Sequence, residues 1–341
     1  MSIITLYNAI ITLTETNLLI AVIVLVIGFT ILAKCDDIFV DSSVEVAEKF
    51  NIPKLIIGIV LVSLATTAPE LAVSLMSALS GQPQMALGNA IGSIICDDGL
   101  ALALAGIVAI SPIVIIPRVL KTAGIFLILI EIIAFLFVLF DNTLDRWEGL
   151  LLVLLFVGYL MFLFYQHKKG LFISEIKEES SRQKGSSFAK IILLFMLSLC
   201  GIIASSKFII TSATTIAHTF GISEAIIALT IVAFGTSIPE VATCIVAARK
   251  KQGTIAVGNI IGADIMNICW VAGASAIANP LTLQQKETLF MFPAMFIIVG
   301  SMLVLIRYKY SLTRIKGFVL LALYLTYLYL TVFVMKFTIH H

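Results

Sequence analysis

The sequence is poor in charge, in paired cysteines and in histidine, and each shortage excludes something. Only 12% of its 341 residues are charged, against about 25% in ordinary soluble domains, while 60% are hydrophobic. A soluble fold of this length could not find enough polar surface to stay dissolved, whereas a bilayer supplies an apolar solvent. The net charge of +2 is too small for a nucleic-acid binder, and the basic residues are scattered in short loops rather than striped along one face. The five cysteines (Cys35, Cys96, Cys200, Cys244, Cys269) are an odd number, and no pair has the spacing of a disulfide framework or a metal site. They read as packing residues. The four histidines (His167, His218, His340, His341) are expected in loops or at the terminus. The N-terminus has neither a basic n-region nor a small-residue cleavage site, so the first apolar stretch reads as a retained membrane helix rather than a signal peptide.

What the chain has in abundance is long apolar runs. A bilayer-crossing helix needs about 20 apolar residues, and that window gives ten candidates, centred on 17–33, 53–80, 84–110, 119–140, 147–166, 188–210, 222–248, 254–278, 288–306 and 315–335. The hydrophilic stretch from His167 to Ser187 separates the first five from the last five. The expected organisation is therefore a first membrane repeat over 1–166, a linker over 167–187 and a second repeat over 188–341. Of the 22 basic residues, all but Arg146, Lys207, Lys286 and Lys336 fall in loops on one side of such an arrangement. The positive-inside rule makes that side cytoplasmic. Both termini are then outside and the linker inside a multi-pass protein of the cell membrane. A missed or invented span would have moved the later basic loops to the wrong side, so the charge distribution supports the count of ten.

An offset of 170 residues exposes a duplication. Ala65-Thr66-Thr67-Ala68-Pro69-Glu70 falls on Gly235-Thr236-Ser237-Ile238-Pro239-Glu240, and without a gap Ala86-Leu87-Gly88-Asn89-Ala90-Ile91-Gly92 falls on Ala256-Val257-Gly258-Asn259-Ile260-Ile261-Gly262. Each half has five spans, an odd number, so the second must enter the membrane from the opposite side. The expected fold is an all-α membrane protein of ten transmembrane helices in two inverted five-helix repeats. That is a transporter architecture, with the binding site near the midplane where the halves meet.

Glu70 and Glu240 sit in the middle of apolar spans. A carboxylate at that depth costs about 2.5–3.5 kcal/mol even on lenient insertion scales, and a bound cation offsets this. Pro69 and Pro239 cannot donate to the carbonyls four residues earlier, those of Ala65 and Gly235. Freed carbonyls at membrane depth are tolerated where they line a cavity or coordinate ions. Thr66 and Glu70 are four apart, as are Thr236 and Glu240, which places hydroxyl and carboxylate on one helix face. In the next span Asn89, Ser93 and Asp97 recur every four residues, matched by Asn259, Ala263 and Asn267. All these candidate ligands are oxygens or amides, the set preferred by hard cations such as calcium and sodium. Against this stands ordinary close packing by small residues, which is the better reading for Ser63, Ser74, Ser77, Ser111, Thr230 and Ser275. Glu131 reads as a snorkelling side chain or a structural pair.

At these residues the chain resembles the cation/calcium antiporter superfamily, specifically its sodium/calcium exchanger branch. Members carry a G-[ST]-S-x-P-E segment followed by G-N-x-x-G-S-N-x-x-[ND], and Gly235 to Glu240 matches the first in full. The resemblance implies ten helices with spans two, three, seven and eight around the ions. It implies calcium held by the carboxylates of Glu70 and Glu240 with backbone oxygens near Thr66 and Thr236. It also implies sodium sites drawing on Thr66, Thr67, Ser93, Thr236 and Ser237. The proton-coupled branch carries G-N-x-x-E, and here Gly92 and Gly262 stand at the Glu position. Some residues depart from the exchanger pattern. Asp97 in the first repeat and Asn267 in the second reverse the usual order, which mirrors the third carboxylate without changing the count. Ala263 replaces a Ser, Ala65 a Gly, Thr67 a Ser and Asp264 an Asn. Asp264 lies three residues before Asn267, on roughly the same helix side, while Asp98 is about 100° around the helix from Asp97 and suits an access path or a basic partner. Apolar surroundings disfavour a charged carboxylate, so proton coupling through Asp98 or Asp264 stays open.

The sequence thus points to an antiporter exchanging calcium for sodium by alternating access, with spans one and six, free of intramembrane carboxylates, as the gate. It calls for no cofactor beyond the transported ions. Magnesium or manganese as cargo and protons as counter-ion are the alternatives within the class, and a cation channel is the rival outside it. An enzyme is not expected: an intramembrane aspartyl protease needs two aspartates on separate helices, and Asp97 and Asp98 are neighbours on one.

Overall fold

The computed structural model describes residues 3–50, 54–168, 187–219 and 233–338, and nearly all of them are helical. The first helices are α1 (Ile3–Thr16), α2 (Leu18–Phe50), α3 (Lys54–Ile57), α4 (Ser63–Thr66) and α5 (Ala68–Leu79). They are followed by α6 (Pro83–Cys96), α7 (Leu102–Val108), α8 (Pro117–Asp141) and α9 (Arg146–Lys168). The later part holds α10 (Phe188–Thr219), α11 (Ala233–Thr236), α12 (Ile238–Arg249), α13 (Gly253–Met266), α14 (Gly273–Ala278), α15 (Gln285–Arg307) and α16 (Arg314–Thr338). Proline sets the start of α5, α6 and α8, where its missing N–H would be unbonded anyway.

Among the described residues eight helical stretches are long and apolar enough to cross a bilayer, and Gly58–Thr66 with Ala68–Leu79, bent by 51°, makes a ninth. Seven of them match the expected spans to within a few residues. The candidate at 222–248 is described only from residue 233, and the linker lies outside the described residues from 169 to 186. Two differences stand out at the N-terminal end. A helix, α1, precedes the first expected span, and α2 continues to Phe50 rather than stopping near residue 33. At 1.5 Å per residue its 33 residues reach about 50 Å, well beyond a hydrocarbon core of about 30 Å, so α2 tilts or projects. His167 and His218, expected in loops, lie in the last turns of α9 and α10.

Two-residue strands tie the loop ends together. Strand β1 (Ile113–Val114) pairs antiparallel with β4 (Ser311–Leu312), and β2 (Thr143–Leu144) pairs with β3 (Leu281–Thr282). Each pair joins one segment from either half of the chain.

Helices α2 and α10 pack antiparallel along most of their length. Phe50 meets Phe188 with ring centroids 5.6 Å apart, and Phe39 meets Phe195 at 4.7 Å. Further along, Gly201 lies against Cys35 and Gly28 against Ile209. The most enclosed stretches are Pro83–Val108 and Gly253–Ala278, with 72% and 83% of their apolar windows buried, against 22–39% for the other six. Leucine, phenylalanine and valine cover the exposed faces of α2, α8, α9, α10 and α16, as lipid contact requires.

Small residues bring the backbones around the centre together. A Cβ on Gly58 would lie 2.6 Å from the Ile255 carbonyl oxygen, and one on Gly262 would strike the Ile59 carbonyl and the Ser63 hydroxyl. The segment before the 51° bend therefore lies backbone to backbone on α13. Replacing Gly262 by Ala is expected to destabilise the protein by about 1–3 kcal/mol, read as a fall in Tm in detergent. Gly158→Ala, where an added methyl meets nothing within 4 Å, serves as the control and is expected to leave Tm unchanged.

Candidate functional site

The chain breaks twice, at equivalent points. Thr67 (φ −79°, ψ 1°) separates α4 from α5, and Ser237 (φ −83°, ψ 5°) separates α11 from α12. Both lie two residues before a proline, whose lost hydrogen bond interrupts the helix. The breaks put Glu70 and Glu240 in the first turn of α5 and of α12, next to helix N-termini whose dipoles favour negative charge. Both glutamates are fully enclosed, with 0% and 1% exposure.

The hydrogen bonds at the centre are reciprocal between the two halves. The Thr67 hydroxyl donates to Glu240 Oε1 at 3.3 Å, and the Ser237 hydroxyl to Glu70 Oε1, also at 3.3 Å. Thr66 donates to Asn259 Oδ1 and Thr236 to Asn89 Oδ1, both at 3.2 Å. Thr236 also lies beside the Glu70 carboxylate and Thr66 beside that of Glu240. The four-residue spacing therefore misleads about partners. With a break between them, Thr66 and Glu70 do not share a continuous helix face, and each hydroxyl serves the carboxylate of the other repeat. Asn89 and Asn259, candidates from the four-residue recurrence in the span that follows each break, accept the threonine bonds at the centre. Asn89 is held from behind, its amide donating to Ser74 Oγ at 3.0 Å while Ser74 donates to the Ala86 carbonyl. Cys244 makes the matching contact to the Ala256 carbonyl at 3.6 Å. Ser74 is thus a supporting residue of the site as well as a packing one.

Around this frame polar atoms are buried without partners. Among the described residues neither Glu70 Oε2 nor Glu240 Oε2 has a hydrogen bond, nor do the Ser93 hydroxyl, either Asp97 oxygen or the Asn267 amide. Such groups are costly unless something satisfies them. Asp97 opens a π-helical turn (Asp97–Ala101) and faces Glu240 and Ser237, and Asn267 opens the matching turn Asn267–Ala272. Turns of this kind concentrate at functional sites. Ala65 and Gly235 are buried at the ends of the two breaks. No three His, Cys, Asp or Glu side chains among the described residues close into a metal cluster. The carboxylates instead alternate with hydroxyls and amides, the mixed oxygen set that calcium or sodium accepts.

Asp98 and Asp264 stand apart from this frame. They face each other, and Glu131 on α8 is near enough to act on both electrostatically. All three are fully buried, and none of their six carboxylate oxygens has a hydrogen-bond donor among the described residues. The snorkelling reading of Glu131 is therefore wrong, and Asp98 faces an acid rather than a base. Glu131 is the residue the sequence undervalued, although its place in the middle of α8 carried the same signal as Glu70.

Comparison with known proteins places the chain in a family. Residues 20–165 and 190–333 match the family described as sodium/calcium exchanger protein. The putative antiporter CaxA of Alkalimonas amylolytica is 32% identical over 321 residues, covering 92% of this chain and 99% of that protein. The sodium/calcium exchanger MaX1 of Methanosarcina acetivorans is 29% identical over 349 residues, covering 90% and 97%. A solved structure of the sodium-calcium exchanger NCX_Mj superposes with a TM-score of 0.77 at 28% identity, covering 91% and 98% of the two chains. The chain is therefore a multi-pass membrane transport protein and belongs to the sodium/calcium exchanger family, within the cation/calcium antiporters.

Proposed function

We propose that this protein is a secondary antiporter that exchanges calcium for sodium by alternating access, with Glu70 and Glu240 as the central ligands. Ten membrane-spanning helices would form two inverted repeats of five, over 1–166 and 188–341, joined by a cytoplasmic linker at 167–187. Both termini would lie outside the cell membrane. The observation that carries the reading is the reciprocal pair of contacts from Thr67 to Glu240 and from Ser237 to Glu70. The antiparallel course of α2 and α10, which carry the expected spans one and six, supports inversion, as does the match of the family in two blocks.

The chemistry follows from the donor set. Glu70, Glu240 and Asp97 supply three formal negative charges, and the free Oε2 atoms, the Ser93 hydroxyl and the Asn267 amide supply further oxygens. Thr66, Thr67, Thr236, Ser237 and the carbonyls of Ala65 and Gly235 complete the set. One calcium or several sodium ions neutralise the same carboxylates, so the two cargoes compete and exchange follows. Asp98 and Asp264 adjoin the set through Asp97. A second reading, protons as counter-ion, is favoured by one observation: two facing carboxylates without donors in a dry interior need a proton or a cation between them.

The test is radioactive calcium uptake into liposomes containing the purified protein. An outward sodium gradient is expected to drive accumulation, and flux that saturates and requires the counter-ion excludes a channel. Uptake indifferent to sodium but driven by a proton gradient would transfer the coupling to protons. Uptake that magnesium or manganese suppresses more strongly than unlabelled calcium would change the cargo.

A further inference from the structure

Helix α2 carries a carboxylate that the sequence placed outside the membrane and that the central site does not use. Asp36 is fully buried, and its Oδ1 accepts a hydrogen bond of 2.8 Å from the Thr243 hydroxyl on α12. Its Oδ2 has no partner among the described residues. Thr243 lies three residues after Glu240, on the same face of the helix, and Asp36 is within electrostatic reach of Glu240. The helix that carries span one thus continues past residue 33 and buries a carboxylate against α12. Further toward the end of α12 the same two helices are joined again. Lys250 Nζ lies 2.8 Å from Asp41 Oδ1 and 3.3 Å from Asp37 Oδ1, and donates to the Asp37 carbonyl at 2.8 Å. These charges are partly exposed, so this second tie is the weaker one.

We propose that Asp36 is a positioning residue for exchange, a latch that ties α2 to the helix bearing Glu240 and holds shut the side of the membrane on which Lys250 lies. The proposal rests on the alternating-access reading above. Asp36, Thr243 and Glu240 are all buried where α2 crosses α12, so an ion leaving Glu240 toward Lys250 has to part the two helices. Parting them breaks the Asp36–Thr243 bond and strands a buried carboxylate, which resists opening. Thr243, so close to Glu240 in sequence, links that resistance to the helix that holds the ion.

The latch is tested by the apparent KM for calcium measured separately from each face in proteoliposomes, taken as a ratio. Loss of the latch populates the state open toward Lys250 and strengthens apparent binding from that face. Thr243→Val, which keeps shape and removes the donor, is expected to change the ratio about tenfold, since it leaves Asp36 buried with neither carboxyl oxygen bonded. Asp36→Asn keeps an acceptor for Thr243 and is expected to stay within about twofold of the wild type. Lys250→Glu is expected to shift the ratio in the same direction by a smaller factor, and Asp41→Lys added to it to restore the ratio. A purely structural role would lower kcat and Tm in all variants and leave the ratio alone, which overturns the proposal. An equal shift in Asp36→Asn and Thr243→Val also overturns it. Absence of exchange in the wild type would instead overturn the transport reading beneath it.

Discussion

Replacing Glu70 or Glu240 by glutamine is expected to lower sodium-driven calcium uptake at least about a hundredfold. Glutamine keeps the shape of the side chain and an oxygen that can still accept from Ser237 or Thr67, so the hydrogen-bonded frame survives. What disappears is one unit of negative charge in a site with no exposure to water. Two unit charges 4 Å apart attract by about 4 kcal/mol at an effective dielectric of 20, and each 1.4 kcal/mol is a factor of ten in affinity. A divalent ion feels the loss more than a monovalent one, so calcium uptake is expected to fall further than sodium binding. Folding is expected to move the other way. Without an ion, Glu70 and Glu240 repel each other across a dry centre, and either substitution removes that repulsion. The cation-free variants are therefore expected to melt no lower than the wild type, while losing the rise in Tm that calcium gives through binding. Uptake within threefold of the wild type in either variant would remove that glutamate from the ligand set.

The frame of this molecule was readable because its signals are long or repeated. Runs of about 20 apolar residues mark most of the spans to within a few residues, and the 170-residue offset marks the segments that meet at the centre. The local partners were not readable, because spacing rules assume an unbroken helix. Pro69 and Pro239 signal the interrupted helices, yet the break at Thr67 and Ser237 also turns the hydroxyls toward the other repeat. Asp36 is hidden from the sequence for a different reason. A hydropathy window closes at Lys34, where charged residues begin, whereas α2 remains helical to Phe50 and buries Asp36 against α12. Glu131 carried a clear signal, a carboxylate at mid-span, but no repeat partner drew attention to it. Pairing across the halves depends on which backbones can approach, and that is set by Gly58 and Gly262 together with the packing around them.

The mirrored third carboxylate gives the other large expected effect. Asp97→Asn is expected to lower calcium uptake at least about tenfold, and adding Asn267→Asp to bring it back to within about threefold of the wild type. Asp97 faces Glu240 and Ser237, and neither of its oxygens is hydrogen-bonded among the described residues. It acts on the site chiefly through its charge, which asparagine lacks, and the loss of attraction follows the same arithmetic as for the glutamates. Asn267 occupies the equivalent turn with both amide atoms unsatisfied and only 1% exposure. Burying an amide without partners costs about 1–3 kcal/mol, so aspartate can take its place without breaking any bond seen there. If the two repeats present equivalent positions to one central ion, the site depends on how many carboxylates surround it more than on which repeat supplies the third. Asn267→Asp alone adds a fourth negative charge, and it is expected to favour calcium over sodium and to slow calcium release, lowering KM and kcat together. The measurement is calcium uptake at graded sodium concentrations for the two single variants and the double. A double variant no better than Asp97→Asn would show that the repeats are not interchangeable at this position, and that Asp97 acts from its own side alone.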